Sequence, residues 1–322
     1  MGEHAYAHVP VMAGRIAALL LPALTGPTPG GRPPVLIDAT LGRGGHARAF
    51  LDAVPGLLLI GIDADAAAIE AGHALAGRYP GRVTVAHAFY DHIAEIAADA
   101  GHRRVQGVLF DLGVSSPQLD DASRGFSYSQ DAPLDMRMDQ GAELTAARVV
   151  NEYPVPGLAR VLFEYGEEKF GRRIAEAIAR ERAREPITST LRLSAIVKDA
   201  IPAPARRTGG NPAKRTFQAL RIEVNDELGA VERALPAALE MLRPGGRLAV
   251  ISFHSLEDRI VKQFLRKQEQ GCTCPPDFPI CICGSEPTMR ATPRRAVRPS
   301  AAEVARNPRA QSARLRVGTK VG

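Results

Sequence analysis

The chain has 322 residues, 45% of them hydrophobic and 24% charged, with a net charge of +6 and four cysteines. That is enough apolar content for a large core in two domains, or in one domain carrying an insertion, and it excludes a disordered or fibrous chain. The apolar run at residues 16–24 is broken by Pro22, follows Glu3 and His4 rather than a basic stretch, and is far shorter than the roughly 20 residues that cross a bilayer. No signal peptide or membrane span is expected, and the protein is placed in the cytoplasm.

Residues 11–24 read as an amphipathic helix closed by Thr-Gly-Pro-Thr-Pro-Gly-Gly. Residues 35–38, Val-Leu-Ile-Asp, are a short buried strand that runs into the turn Leu41-Gly-Arg-Gly-Gly-His46 and re-enters as a helix. Such a turn brings backbone N–H groups and a helix N-terminus to a nucleotide-like ligand, although its spacing is only a loose match to the dinucleotide fingerprint. Asp38, polar at the end of the strand, is read as a brace for the turn. Residues 57–63 form a second continuous apolar run, as expected of a parallel strand covered on both faces. It ends in Asp63, 19 residues beyond Gly44, where an acid at the end of the second strand takes ribose hydroxyls. An alanine-rich helix (64–77), a third strand (82–89), a helix to about 100 and a fourth strand (106–111) follow.

Four strand–helix alternations predict a doubly wound parallel α/β sheet. The alternation then stops. Residues 112–141 read as a loop rich in Gly, Ser, Pro and Asp, and the sequence is helical and strongly charged from there to about 212, with no strand-like run. The expected organisation is a sheet core at 1–122 and 211–322 with an all-helical subdomain inserted at 123–210. A helix at 216–242 stops at Arg-Pro-Gly-Gly, and a fifth strand (247–253) and a helix (255–268) follow. Residues 287–291 and 312–318 form a closing antiparallel hairpin. A reversed final strand separates the Rossmann-like sheet of S-adenosylmethionine-dependent methyltransferases from the dehydrogenase sheet.

The strand ends carry the candidate chemistry. Gly44, Gly45 and His46 would hold the amino-acid part of S-adenosylmethionine, Asp63 the ribose, Phe89 an adenine face or simply the core, and Asp111 the region of the transferred methyl group. Methylation of an aromatic amine needs the amine aligned with the methyl carbon and acceptors for its N–H bonds, because its lone pair is delocalised into the ring. Asp111 and Gln118, in the stretch Asp111-Leu-Gly-Val-Ser-Ser-Pro-Gln118, are suitable acceptors. Arg124, Phe126, Tyr128, Asp135 and Arg137 would either hold an unstacked base or pack a loop. His254, after the fifth strand, is either an acid/base or a hydrogen-bonded linker, and Asn225 is a minor candidate. Cys272, Cys274, Cys281 and Cys283, spaced C-x-C-x6-C-x-C, are read as a structural zinc site or as free thiols. Nine Lys and Arg residues against two Glu residues lie beyond position 283, so the C-terminal segment carries +7 and the rest of the chain about −1, and the segment is read as an RNA-binding tail or a solvated one.

Together, Leu41-Gly-Arg-Gly-Gly-His46, Asp111-Leu-Gly-Val-Ser-Ser-Pro-Gln-Leu119, Arg124-Gly-Phe-Ser-Tyr128, Pro133-Leu-Asp-Met-Arg-Met138, Ile251-Ser-Phe-His-Ser-Leu-Glu-Asp-Arg259 and Asn307-Pro-Arg-Ala310 closely resemble the bacterial 16S ribosomal RNA cytosine-N4 methyltransferase family. The resemblance covers almost the whole chain. It implies an S-adenosylmethionine-dependent class I enzyme that methylates the exocyclic amine of a decoding-centre cytosine of the small ribosomal subunit. Cofactor contacts are implied at Gly44, Gly45, His46, Asp63, Phe89, Asp111 and Gln118, together with an inserted helical recognition domain. The loop after the fourth strand is not the Asp-Pro-Pro-Tyr of DNA amino methyltransferases, so that family's stacking aromatic does not transfer. The cysteine segment is not part of the resemblance. A nicotinamide-dependent oxidoreductase and a noncatalytic RNA-binding protein are the competing readings.

Overall fold

The computed structural model describes residues 10–206, 211–271, 274, 280, 283–284 and 286–322. They fall into two compact units, one made of the chain up to Gly113 together with Leu228–Gly322, the other of Val114–Glu227. These breaks lie at either side of the expected 123–210 insertion.

The first unit alternates α1 (Ala13–Leu24), β1 (Val35–Asp38), α2 (Gly45–Ala53), β2 (Leu58–Asp63), α3 (Ala66–Arg78), β3 (Val83–His87), α4 (Ile93–Asp99) and β4 (Val105–Asp111). After the second unit it resumes with α12 (Glu227–Met241), β5 (Leu242–Ser252), α13 (Ser255–Gln270), β6 (Met289–Ala291), α14 (Ala301–Arg306) and β7 (Arg314–Lys320). The seven strands lie in the order β3-β2-β1-β4-β5-β7-β6. β1 to β5 run parallel, and β7 is antiparallel to both β5 and β6.

Side chains alternate across the sheet, as the two-residue strand period requires. Val35 and Ile37 of β1, Val108 and Phe110 of β4, and Leu248 and Val250 of β5 pack with Ile93 of α4, Val231 and Leu235 of α12 and Val261 of α13. Leu36, Leu109, Ala249 and Ile251 point the other way, into a second core with Ile16 and Leu20 of α1, Phe50 of α2 and Leu75 of α3. A sheet buried on both faces explains why β1, β2 and β4 read as continuous apolar runs.

The second unit contains α5 (Ser116–Asp120), α6 (Ala146–Glu152), α7 (Val155–Glu164), α8 (Gly171–Arg182), α9 (Thr190–Ala200), α10 (Ala203–Arg206) and α11 (Lys214–Asn225). Its core is built from Val149, Leu158, Leu162, Ile174, Ile178, Leu193, Val197 and Leu220, all fully buried.

Local corrections to the sequence reading have identifiable causes. The helix expected at 216–242 is two, because the chain turns at Asp226, whose φ of 46° is left-handed and ends α11. The loop expected at 112–141 contains α5, started by a capping box in which the Ser115 side chain accepts from the Gln118 N–H and the Gln118 side chain accepts from the Ser115 N–H. β5 begins at Leu242, five residues early, with a register irregularity that absorbs Arg-Pro-Gly-Gly. Among the described residues no helix is long and apolar enough to cross a membrane.

Candidate active site

β1, β2 and β4 lie side by side in parallel, so Asp38, Asp63 and Asp111 all fall at one edge of the sheet, where ligands of such folds bind. The turn after β1 joins them. The Leu41 N–H donates to the Ile62 carbonyl at 2.9 Å and the Gly42 N–H to Asp63 Oδ2 at 2.8 Å, tying the turn to the end of β2. Gly44 takes a φ of 71° as the residue before α2, a conformation that favours glycine, and an added Cβ would also meet a Leu75 methyl at 3.1 Å. A Cβ on Gly45 would lie 2.5 Å from Pro10 Cγ, so the bare Cα of Gly45 is where the segment before α1 packs.

The acidic edge is strongly coupled. Asp38 is buried, and its Oδ1 accepts the Thr40 N–H at 3.4 Å while Oδ2 has no hydrogen-bond partner. Thr40 Oγ1 accepts the Asp111 N–H at 2.6 Å, which locks the end of β4 to the turn. His46 Nε2 stands 3.5 Å from Asp111 Oδ2, with the two side chains 9% and 24% exposed, and Asp111 Oδ1 is buried without a partner. Burial pushes the Asp38 carboxyl up to about 7; His46 pulls it down and the neighbouring Asp111 and Asp63 charges push it further up. Burial works against a charged His46, but the Asp111 hydrogen bond and the charges of Asp111 and Asp38 outweigh it and raise the imidazole above its ordinary value.

Asp63 is half-buried, and its carboxyl is raised chiefly by burial. Its Oδ1 accepts the Asp65 N–H at 2.9 Å, so both oxygens already brace backbone. Phe89 is half-buried just beyond the end of β3, which stops at His87 rather than running to residue 89. His254 caps α13. Its Nδ1 faces the Glu257 N–H at 3.5 Å, its Nε2 is 3.0 Å from Glu257 Oε1, and Glu257 Oε2 accepts the Phe253 and His254 N–H groups at 2.7 and 3.2 Å. That is the linker alternative, a helix start held by reciprocal bonds.

The remaining expected residues belong to the second unit. Gln118 is buried, and its Oε1 accepts the Ser115 N–H at 2.9 Å. Arg124 and Phe126 are also buried: the guanidinium donates to the carbonyls of Arg137 and Met138 at 2.9 and 3.1 Å and lies 5.8 Å from the Phe126 ring centroid. Asp135 and Arg137 form a two-point ion pair at 2.9 and 2.7 Å, and Arg137 also donates to the carbonyls of Gln140 and Ala142. Tyr128 is half-buried, edge-on to Phe217 at 5.8 Å. Of the two readings for this group, the packed loop is what these contacts describe. Asn225 serves the same loop: Oδ1 accepts the Met138 N–H at 2.7 Å and Nδ2 donates to the Met136 carbonyl at 2.8 Å.

Sequence reasoning gave Asp38 a purely structural part and passed over Thr40. The available signal was a carboxylate closing a strand whose residues are otherwise wholly buried. The zinc expectation falls partly outside the described residues, since only Cys274 and Cys283 are among them, both half-buried. The basic tail is also divided. Arg314 and Arg316 converge on buried Asp258 at 2.8 and 2.7 Å, and Lys320 Nζ donates to the carbonyls of Leu239 and Glu240 at 2.9 and 3.3 Å. These cations hold the sheet edge together and are not a solvated tail.

The groups acting electrostatically on Asp38 are carboxylates and one imidazole. Such an edge attracts a cation and repels a pyrophosphate, which disfavours the dinucleotide reading. Strand order, reversed β7 and acidic edge define a class I methyltransferase fold. The chain belongs to the MraW methylase family, whose model matches residues 5–321. It is 54% identical to the ribosomal RNA small subunit methyltransferase H of Frankia alni over 97% of this chain and 95% of that one. It is 52% identical to the protein of the same name from Thermobifida fusca, covering 99% and 95% of the two chains. With that from Heliobacterium modesticaldum it shares 49% identity over 98% of each.

Proposed function

We propose that this protein transfers a methyl group from S-adenosylmethionine to the exocyclic N4 amine of a decoding-centre cytosine in the 16S RNA of the small ribosomal subunit. The cofactor half rests on one observation, the clustered carboxylates with buried, unpartnered oxygens on Asp38 and Asp111. A buried polar atom without a partner is costly, and a positively charged ligand relieves that cost here. The RNA half rests on the family and on the substrate named in its relatives. The chosen cytosine and its N4 atom come from the motif resemblance. Cytoplasmic location follows from such a substrate, and zinc has no part in the proposal.

S-adenosylmethionine, when bound, supplies an electrophilic methyl group on a sulfonium centre. Gly44 and Gly45, packed against Leu75 and Pro10, begin α2 at this edge and are assigned through their backbone to the amino-acid part of the cofactor, and Asp38, His46 and Asp111 form the polar wall assigned to its cationic portion. Asp63 is assigned to the ribose hydroxyls, sharing its oxygens with the Gly42 and Asp65 N–H groups, and Phe89 to one face of the adenine. Asp111 Oδ1, which has no partner of its own, would accept an N–H bond of the target amine and so localise the nitrogen lone pair for attack on the methyl group. Gln118, Arg124, Phe126, Asp135 and Arg137 hold the loops of the second unit in shape, and these loops, with Tyr128, are assigned to the RNA substrate. His254 fixes the start of α13 and is assigned no proton transfer.

Calorimetric titration tests the cofactor half. S-adenosylmethionine should bind the wild type and bind Asp111→Asn at least tenfold more weakly, a loss of about 1.4 kcal/mol or more. Tighter binding of NAD than of S-adenosylmethionine would overturn the reading.

A further inference from the structure

α13 starts at the catalytic edge, directly after β5, and runs away from it along the β6–β7 edge of the sheet. Between the helix and that edge lies a groove of about 260 Å³, walled by Lys262, Arg266 and Glu269 of α13, Arg294 beyond β6 and Arg316 of β7, with Leu265 in its floor. Lys262 and Arg266 are exposed, and no ion pair among the described residues engages either. Their i, i+4 spacing sets them about 6 Å apart along the helix, roughly 10 and 16 Å from its first residue at 1.5 Å per residue. Arg294 is 85% exposed and only 3.8 Å from Glu269, a contact of little energetic weight at the surface. Arg290, Arg295 and Arg298 stand exposed on the same edge segment.

Charge in this region is one-sided. Asp258 is buried and already neutralised by Arg314 and Arg316, so among the described residues that line the groove Glu269 is the only carboxylate. Among the described residues no aromatic side chain lines it, so these residues offer phosphate-binding cations and no stacking platform.

We propose that this groove carries the phosphodiester backbone of the RNA substrate away from the catalytic edge, with Lys262, Arg266 and Arg294 as its phosphate contacts. The inference rests on the proposed RNA substrate and adds the surface that binds it. The sequence reading placed RNA contacts on the C-terminal segment, the inserted helical subdomain and the loop residues from Arg124 to Arg137, and none on α13. The structure withdraws Arg314, Arg316 and Lys320 from that role as sheet-edge fasteners, and brings two helix cations from outside the segment into it.

The test compares the full-length wild type with Lys262→Ala/Arg266→Ala and with Arg294→Ala. Binding to a single-stranded RNA spanning the target cytosine is measured across a salt series, and methyl transfer to small ribosomal subunits is measured alongside. Removing one phosphate-binding cation should flatten the slope of log K against log salt by about 0.7, so the double variant should flatten it by about 1.4. KM for the subunit should rise several-fold while kcat, S-adenosylmethionine affinity and melting temperature stay at wild-type values, and Lys262→Arg should keep the wild-type slope. Unchanged slopes in the alanine variants would overturn the inference. So would weakening confined to assembled subunits with naked RNA binding intact, because that pattern assigns the groove to an acidic protein surface. If the wild type binds RNA through these residues yet never transfers a methyl group, the groove stands and the proposed function falls. If it methylates normally with slopes unchanged in the variants, the reverse holds.

Discussion

Replacing Asp38 with Asn should stabilise the ligand-free protein above neutral pH while weakening its hold on the cofactor. The Asp38 carboxyl is buried, and its pKa is pushed from 3.8 up to about 7. A carboxyl raised in the folded state favours folding fully below its unfolded pKa, and that contribution is lost as pH rises through the folded value. At 1.36 kcal/mol per unit the full loss is about 4 kcal/mol, of which roughly 2 to 3 kcal/mol falls between pH 5 and pH 8. Asn keeps the shape and the acceptor for the Thr40 N–H but does not titrate. Urea unfolding of both proteins at pH 5 and pH 8 isolates the effect of this one group, because other titrating groups are nearly common to the two. The wild type should lose roughly 2 to 3 kcal/mol more than Asp38→Asn on going from pH 5 to pH 8. Parallel pH dependence in the two proteins would refute the account of a strained acidic edge, as would unchanged affinity of Asp38→Asn for S-adenosylmethionine at pH 8.

Three further substitutions probe the framework. Asp258→Ala strips half-buried Arg316 and half-exposed Arg314 of their shared, buried carboxylate and should cost about 2 kcal/mol by urea unfolding, less than breaking a fully buried pair because both guanidinium groups reach solvent. Burial opposes the charged form of Asp258, but the two arginines outweigh it and hold its carboxyl below the ordinary value. The contribution is therefore complete above the ordinary carboxylate range and fades as pH falls below it, so wild type and variant should converge in acid. Asn225→Leu leaves the Met138 N–H and Met136 carbonyl without partners and frees Met136 from its left-handed φ of 61°; a loss of about 3 kcal/mol is expected, with faster amide exchange across residues 124–142. Gly125→Ala should cost more than the 1–2 kcal/mol or so of a left-handed alanine, because at φ 71° the new Cβ would lie 2.2 Å from the Pro133 carbonyl oxygen, and thermal melting would register it.

What could be read in advance was whatever depends on periodicity or strand order. The continuous apolar runs ending in Asp38, Asp63 and Asp111 located the first, second and fourth strands, because a strand buried on both faces leaves no other pattern. The reversed edge was legible from the alternation in the last residues. Less legible was anything set by side chains distant in sequence. The break at Asp226 has no glycine or proline to announce it, and Asn225, beside it, makes its bonds to backbone about ninety residues earlier. Arg124, Asp135 and Arg137 left two readings open, because a charged residue beside an aromatic reads alike whether its partners are a base or the loop's own carbonyls. Arg314 and Arg316 counted as free charge until Asp258, from a different part of the chain, was seen between them. The Ser115–Gln118 capping box is different: its Ser-x-x-Gln spacing was present in the sequence, yet the stretch was read as a loop.

The measurement closest to the central claim is methyl transfer from labelled S-adenosylmethionine to small ribosomal subunits, followed by nuclease digestion and mass spectrometry of the nucleosides, with Asp111→Ala alongside. The account predicts label in N4-methylated cytidine with the wild type and its loss in the variant. Label on another atom or another nucleoside, or N4-methylated cytidine formed equally well by Asp111→Ala, would contradict it.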